Sequence, residues 1–441
     1  MHSSFAFFTR RRFLPLFGTQ FMGAFNDNLL RTGVVVLVSY YGLSIKGWPP
    51  EQLVNLGAGV FILPFFLFSA AAGKVCECFD KARIARIIKL VEIGIMLLAG
   101  AGLFLHNAPL LLAALFLMGT HSTFFGPLKY AILPQYLAAE ELVGGNGLIE
   151  MGTFLAILFG QIVGSVMMHG GAGIASMILL LCALTGYVFS RQMPPAAPTS
   201  TRLALSFNIV SDSGKLIRKA WKIHGVRSAI FGISWFWLLG TIYTTQLPIF
   251  TRRNLGGNAD VYTLLLALFS VGIGAGSMAC AKLSNGKLRH GLILFGSLGM
   301  TLFGGDLALS SMQEHHGALT ALGDFLRTPA NWRALADVTL LGFFGGFFTV
   351  PLYTWLQTSS PDEFRSQAVA CNNIINGFFM VAAAAACAIL INALGSIADL
   401  FLITAVANVV ATLLLIISAP VIWHTRFEWL RPWTKRDANN R

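Results

Sequence analysis

Twelve times along this chain, a run of roughly 20 residues passes with almost no charge, and apolar runs of that length are what it takes to cross a bilayer. Inside hydrocarbon every backbone N–H and C=O must be satisfied within the segment, so each run is read as a helix. The 45 glycines suit closely packed membrane helices better than the alternating pattern of a β-barrel. The spans are placed at 13–41, 52–75, 84–105, 108–130, 143–168, 172–190, 229–250, 260–281, 290–311, 334–357, 366–392 and 397–423. Composition agrees: 55% of residues are hydrophobic and only 11% charged, against about 25% charged in soluble domains. A water-soluble enzyme is excluded, and the chain reads as an all-α membrane protein with twelve transmembrane helices.

The spans fall into two sets of six. Between them lies Arg191 to Arg227, which opens on the breakers Pro194, Pro195 and Pro198. It continues into a basic stretch with Lys215, Arg218, Lys219 and Lys222 beside Ile217 and Trp221, the pattern of a helix lying on a membrane surface. The expected organisation is a six-helix bundle over 1–190, a linker with an amphipathic helix over 191–228, and a second six-helix bundle over 229–441. Lysine and arginine near span ends are retained in the cytoplasm. Arg10, Arg11 and Arg12, the loop with Lys74, Lys81, Arg83 and Arg86, then Lys129, the linker, the bases around 282–289, Arg365 and the C-terminus all fall on one side. Only Lys46, Arg252, Arg253, Arg327 and Arg333 fall on the other, so both termini and the linker are expected in the cytoplasm. The net charge of +12 is therefore a topology signal, with contact to anionic lipid headgroups as a secondary use and no nucleic-acid partner. The arginine-rich start does not read as a cleaved signal peptide, because the run behind it carries Asn26-Asp27-Asn28 and no small-residue cleavage site.

The two halves resemble each other, as in transporters built from repeats. Phe124-Phe125-Gly126-Pro127-Leu128 ends the fourth span and Phe347-Phe348-Thr349-Val350-Pro351-Leu352 the tenth. About 20 residues after each proline comes an asparagine, Asn146 in one half and Asn372-Asn373 in the other. Six spans, a long linker and six spans point to two bundles rocking around a central cavity.

Charges within a bilayer cost about 2.5–3.5 kcal/mol each on insertion scales, so those that persist face a cavity or a partner. Asp27 is mid-span with Arg31 four residues on, which allows either an ion pair along one face or a cavity-lining anion widened by Gln20, Asn26 and Asn28. Lys89 and Glu92 are three residues apart; they pair, or Lys89 snorkels to the interface, or both serve the cavity. Glu150 lies behind Gly144-Gly145-Asn146-Gly147 and faces the cavity or anchors the adjacent loop. Lys129 with Tyr130 is suited to a phosphate, although a span-end lysine with an interfacial tyrosine looks the same. Asp306, Asp337 and Asp399 read as interfacial or structural. The second half offers neutral groups instead, Thr244, Thr245 and Gln246 in the seventh span and Asn372, Asn373 and Asn376 in the eleventh. His315 and His316 beside Glu314 read as a solvated loop. The six cysteines stand singly or, as Cys76 and Cys78, without further ligands, so neither a disulfide framework nor a metal site is implied. No Gly-Lys pair has phosphate-loop spacing, no histidine stands in acyltransferase spacing to an aspartate, and there is no Gly-x-Ser-x-Gly elbow. The chain is expected to be no enzyme and to need no cofactor.

Several segments together resemble the lysophospholipid transporters of the major facilitator superfamily. They are Gln20-Phe-Met-Gly-Ala-Phe-Asn26-Asp27-Asn28, Gly126-Pro127-Leu128-Lys129-Tyr130, Glu141-Leu-Val-Gly-Gly-Asn146-Gly-Leu-Ile-Glu150 and Gly345-Gly346-Phe-Phe-Thr-Val-Pro351-Leu352. The loop from Gly73 through Glu77, Asp80 and Lys81 to Arg83 resembles the superfamily's latch between spans two and three, with Glu77 where an aspartate is usual. The resemblance implies the major facilitator fold and a bacterial inner-membrane flippase. Such a protein moves lysophospholipids, for example lysophosphatidylethanolamine, from the periplasmic to the cytoplasmic leaflet, where a separate acyltransferase restores the second chain. In some relatives the acyltransferase is fused to the transporter; with this chain ending at Arg441, the enzyme is expected to be another polypeptide. Coupling to a proton or to sodium stays open. Other members carry an arginine in the seventh span and a glutamate in the eleventh, where this chain has Tyr243 to Gln246 and Asn372 to Asn376 without charge. The candidate substrate-binding set is Asn26, Asp27, Asn28, Arg31, Lys89, Glu92, Lys129, Tyr130, Asn146, Glu150, Gln246, Asn372, Asn373 and Asn376, with Glu77, Asp80, Lys81 and Arg83 as gating residues. Within it Asp27 and Glu150 would meet a headgroup amine, Lys129 or Lys89 the phosphate, and the many phenylalanines and leucines the tail. A facilitator exporting a drug or small metabolite shares this fold, and a scaffold for lipid-modifying enzymes that transports nothing is the alternative from another class.

Overall fold

The structure, a computed structural model, describes residues 5–45, 48–200, 208–313, 315–394 and 396–430. Lys46, the linker base Arg202, Glu314 of the histidine loop and the C-terminal bases Arg431, Lys435, Arg436 and Arg441 lie outside the described residues. The helices run in the order α1 (Leu14–Tyr40), α2 (Pro50–Cys78), α3 (Lys81–Phe104), α4 (Ala108–Tyr136), α5 (Leu142–Val166), α6 (Gly171–Arg191), α7 (Ile209–Trp221), α8 (His224–Arg253), α9 (Ala259–Ser284), α10 (Gly291–Ser310), α11 (Leu322–Arg327), α12 (Asn331–Ser359), α13 (Arg365–Leu394), α14 (Ile397–Ser418) and α15 (Val421–His424). Ten helical stretches among the described residues are long and apolar enough to cross a membrane, and one of them runs through both α5 and α6. Helix α1 falls outside that set, and the polar run around Asn26-Asp27-Asn28 and Arg31 is what lowers its hydropathy. The chain is a multi-pass, all-helical membrane protein.

Local sequence sets where the helices begin. Asp80 caps α3 by accepting from Arg83 N, Asn107 caps α4, Asn208 caps α7, Asn258 caps α9 and Ser396 caps α14. Lateral packing then follows the small residues. α9 lies so close to α12 that a Cβ at Gly276 would sit 1.8 Å from the Phe343 carbonyl oxygen, so only glycine permits that contact.

Helix α1 packs on α5 and α6, α2 on α4, and α3 on α4 and α6. In the second half α9 and α10 pack on α12, α8 on α12 and α13, and α14 on α10. Contacts between the halves run through α2 with α13, α5 with α9, α4 with α13 and α5 with α12. The named side-chain links among them, described below, lie at the helix ends nearest the linker. Helix α7 packs against α2 in the first half and against α8 and α13 in the second. Its Asp212 accepts from Lys74 Nζ of α2 at 2.6 Å.

Candidate functional site

Three polar groups lie along α1. The first is at Asp27, a half-buried residue whose Oδ2 accepts from Ser122 Oγ of α4 at 2.6 Å while its Oδ1 has no hydrogen-bond partner. Arg31 does not pair with it. Its guanidinium lies 4.9 Å from the Phe61 ring centroid on α2, and among the described residues no carboxylate is within ion-pair distance of it. The spacing of four residues allowed the pair, but tertiary contacts with α4 and α2 take the two side chains apart. Asn28 is buried and donates back to Ala24 O at 2.8 Å.

The second group lies two turns nearer the linker end, where α1, α4 and α5 meet. Tyr130 donates its hydroxyl to Glu150 Oε1, and Lys129 Nζ sits 4.8 Å from the centroid of the Tyr130 ring and 3.5 Å from Thr153 Oγ1. Thr153 in turn donates to Gln20 Oε1 at 3.1 Å, and Gln20 Nε2 is buried without a partner. Lys129 is half-buried, so its ammonium keeps donors in reserve.

The third group is fully enclosed between α1, α3 and α4. Lys89 Nζ donates to Glu92 Oε2 at 2.5 Å, Asn26 Nδ2 donates to Glu92 Oε1 at 2.8 Å, and His121 Nε2 lies 3.0 Å from Glu92 Oε2. All four residues are buried. Lys89 thus turns inward instead of snorkelling, and Gly23 makes room for it: a Cβ there would be 2.7 Å from Lys89 Nζ. His121 was missed in the sequence reading, although a histidine mid-span in Thr120-His121-Ser122-Thr123 is a visible signal.

In the second half, Asn376 Oδ1 accepts from Ser234 Oγ at 2.7 Å, Asn372 is fully buried, and Asn373 lies against Gly126 of α4. Gln246 is half-buried with Oε1 unpartnered and Nε2 3.5 Å from Thr245 Oγ1. Tyr353 of α12 stacks on Tyr130 with ring centroids 4.2 Å apart, and Trp237 Nε1 donates to Tyr353 OH at 3.2 Å. Those two aromatics were also missed, since only the partner across the seam distinguishes them from other aromatics in apolar runs.

Asn146 falls in the seam itself. Its Nδ2 donates to Gln357 Oε1 at 2.7 Å, and Gln357 Nε2 donates back to Asn146 Oδ1 and to Tyr130 O, each at 3.0 Å. Glu77 makes a second crossing: its Oε1 accepts from Ser366 N at 2.7 Å, at the start of α13, where free backbone N–H groups favour an anion. Thr199 of the linker donates its hydroxyl to the other oxygen of Glu77. Asp80, besides capping α3, accepts from Ala196 N at 2.8 Å; Lys81 is buried, with Nζ lacking a hydrogen-bond partner; Arg83 is exposed. Asp306 pairs with Arg333 at 2.5 Å. His315 and His316 are exposed, and no cluster with metal-holding composition occurs among the described residues.

Along α1 and α4 the chain therefore presents a carboxylate oxygen and, two turns deeper, an ammonium, neither of them saturated. Among the described residues, twelve helices of 20 residues or more pack along such a polar seam, an architecture suited to a membrane carrier of solutes. The chain belongs to the Major Facilitator Superfamily, whose sequence profile matches residues 16–326. It is similar to the lysophospholipid transporter LplT of Salmonella newport strain SL254, with 28% identity over 82% of this chain and 83% of that protein. The LplT of Escherichia coli O1:K1 / APEC is 28% identical over 80% of this chain and 82% of its own length. Among solved structures, the superfamily transporter FucP in its outward conformation superposes with a TM-score of 0.68 at 14% identity, covering 93% of this chain and all of that one. The protein is a transporter, not an enzyme.

Proposed function

We propose that this transporter carries lysophospholipids, lysophosphatidylethanolamine among them, from the periplasmic to the cytoplasmic leaflet of a bacterial inner membrane. The observation that carries the reading is the opposite charge at two levels of one seam. Ser122, which holds Asp27, and Lys129 are seven residues apart on α4, about 10 Å along a helix. An amine and a phosphate joined by ethanolamine, with a hydrogen bond of about 2.8 Å at each end, span that gap. Asp27 then takes the amine and Lys129, with Gln20, the phosphate, while Glu150 holds Tyr130 in place. The similarity to proteins named lysophospholipid transporters supports this choice over a drug or metabolite exporter.

Helices α1 to α6 act as one bundle and α8 to α14 as the other, divided at the linker, and both termini lie in the cytoplasm. The links of Asn146 to Gln357 and of Glu77 to Ser366 close the linker end, so the headgroup enters from the opposite end and leaves when these links part. The released single-chain lipid is a substrate for a separate acyltransferase. The test reconstitutes the purified chain in liposomes and follows labelled lysophosphatidylethanolamine across the bilayer. Movement above protein-free liposomes that falls in Asp27→Asn supports the reading; folded protein that moves none of it overturns it.

A further inference from the structure

Some bases at the linker end pair with carboxylates. Arg12 pairs with Glu141, Lys74 with Asp212 and Arg365 with Asp362. On α7 and at its C-cap, Lys215, Arg218 and Lys222 are exposed, and none has a carboxylate within ion-pair distance among the described residues. They share the outer side of the helix with Val210, 84% exposed, and Trp221, 41% exposed, while Asp212, Leu216 and Ala220 face inward. Bare apolar side chains interleaved with unpaired bases are poorly matched to water. They suit the interface of a bilayer, where apolar groups enter the headgroup layer and bases meet anionic phosphates. The position agrees, because α7 ends at Trp221 and the membrane helix α8 starts at His224, so the C-terminal end of α7 lies beside the end of a span.

We propose that the outer face of α7 docks on the anionic lipid headgroups of the membrane surface. Its inner face gives that contact a consequence for the fold. Lys74 of α2 holds Asp212, and Lys219 Nζ lies 4.3 Å from the ring centroid of Phe364, which immediately precedes α13. A helix held by lipid on one side braces α2 against the start of α13 on the other, across the seam that Glu77 and Ser366 close. Anionic lipid thereby favours the state closed at the linker end, whatever solute the transporter carries.

Hydrogen exchange of the full chain in nanodiscs tests this, with phosphatidylcholine alone against phosphatidylcholine mixed with phosphatidylglycerol. The expected result is several-fold slower exchange over 209–221 with phosphatidylglycerol, a difference that added salt reduces. The combined variant Lys215→Gln, Arg218→Gln and Lys222→Gln should lose the difference while α4 and α9 exchange as before, which shows the fold is retained. Equal exchange of 209–221 in both lipids overturns the proposal, as does a variant that keeps the full difference. Slowing that requires an added acidic peptide and is indifferent to lipid also overturns it, and assigns the face to a protein partner instead.

Discussion

Asp27 offers one oxygen to Ser122 and leaves the other without a partner, whereas Glu92 spends both of its oxygens on Lys89, Asn26 and His121. The two carboxylates should therefore respond differently to loss of charge. Asp27→Asn removes a charge-assisted bond to an amine of about 1.5–3 kcal/mol, so lysophosphatidylethanolamine transport should fall by about tenfold or more with thermal stability unchanged. Glu92→Gln leaves Lys89 charged in a dry interior, a loss of about 3–5 kcal/mol that should appear as a lower melting temperature in detergent. The double replacement Lys89→Met with Glu92→Leu should recover much of that stability, because it removes the charges instead of stranding one. A double variant no more stable than Glu92→Gln would show that the pair does more than neutralise itself. That these residues are exceptional was legible in the sequence, since each interrupts an apolar run. Which of them are saturated was not, because Ser122 and His121 come from another helix.

Helices meet where small or polar residues let them. The reciprocal amide pair of Asn146 and Gln357 joins α5 to α12, and Gln357 also bonds the Tyr130 carbonyl of α4. Gln357→Ala leaves Asn146 Oδ1 buried without its donor, although Nδ2 keeps Leu142 O and Thr354 Oγ1, about 1–3 kcal/mol against the closed arrangement. Spin labels at the linker ends of α5 and α12 should then report a larger population of long distances; an unchanged distribution would show that other contacts suffice. Gly276→Leu belongs to the same scale. With a Cβ already colliding with the Phe343 carbonyl, α9 and α12 must separate, and the variant should be recovered in much lower yield. The repeat of proline followed by asparagine marked both Asn146 and Asn372, but the partner Gln357 carries no mark of its own in the sequence.

Across the whole molecule, the asymmetry of bases predicts sidedness. A cysteine replacing Lys215 should react with an impermeant thiol reagent only from the cytoplasm, and one replacing the exposed Arg327 only from the periplasm. Reaction of both from one side would remove the topology on which the direction of transport rests. The sequence by itself determined that the chain is a multi-pass, all-helical membrane protein, and it marked most of the polar residues within the apolar runs. These follow from hydropathy and from the need to satisfy each backbone group inside its own segment, and both are local. Only the tertiary structure decided which polar atoms meet, since Asn26 and Glu92 are 66 residues apart and Glu77 and Ser366 are 289 apart. It separated Arg31 from Asp27, turned Lys89 inward, and put Asn146 in a seam between halves. Partner choice in a low-dielectric interior is set by which helices lie side by side, and the spacing along one helix does not encode that.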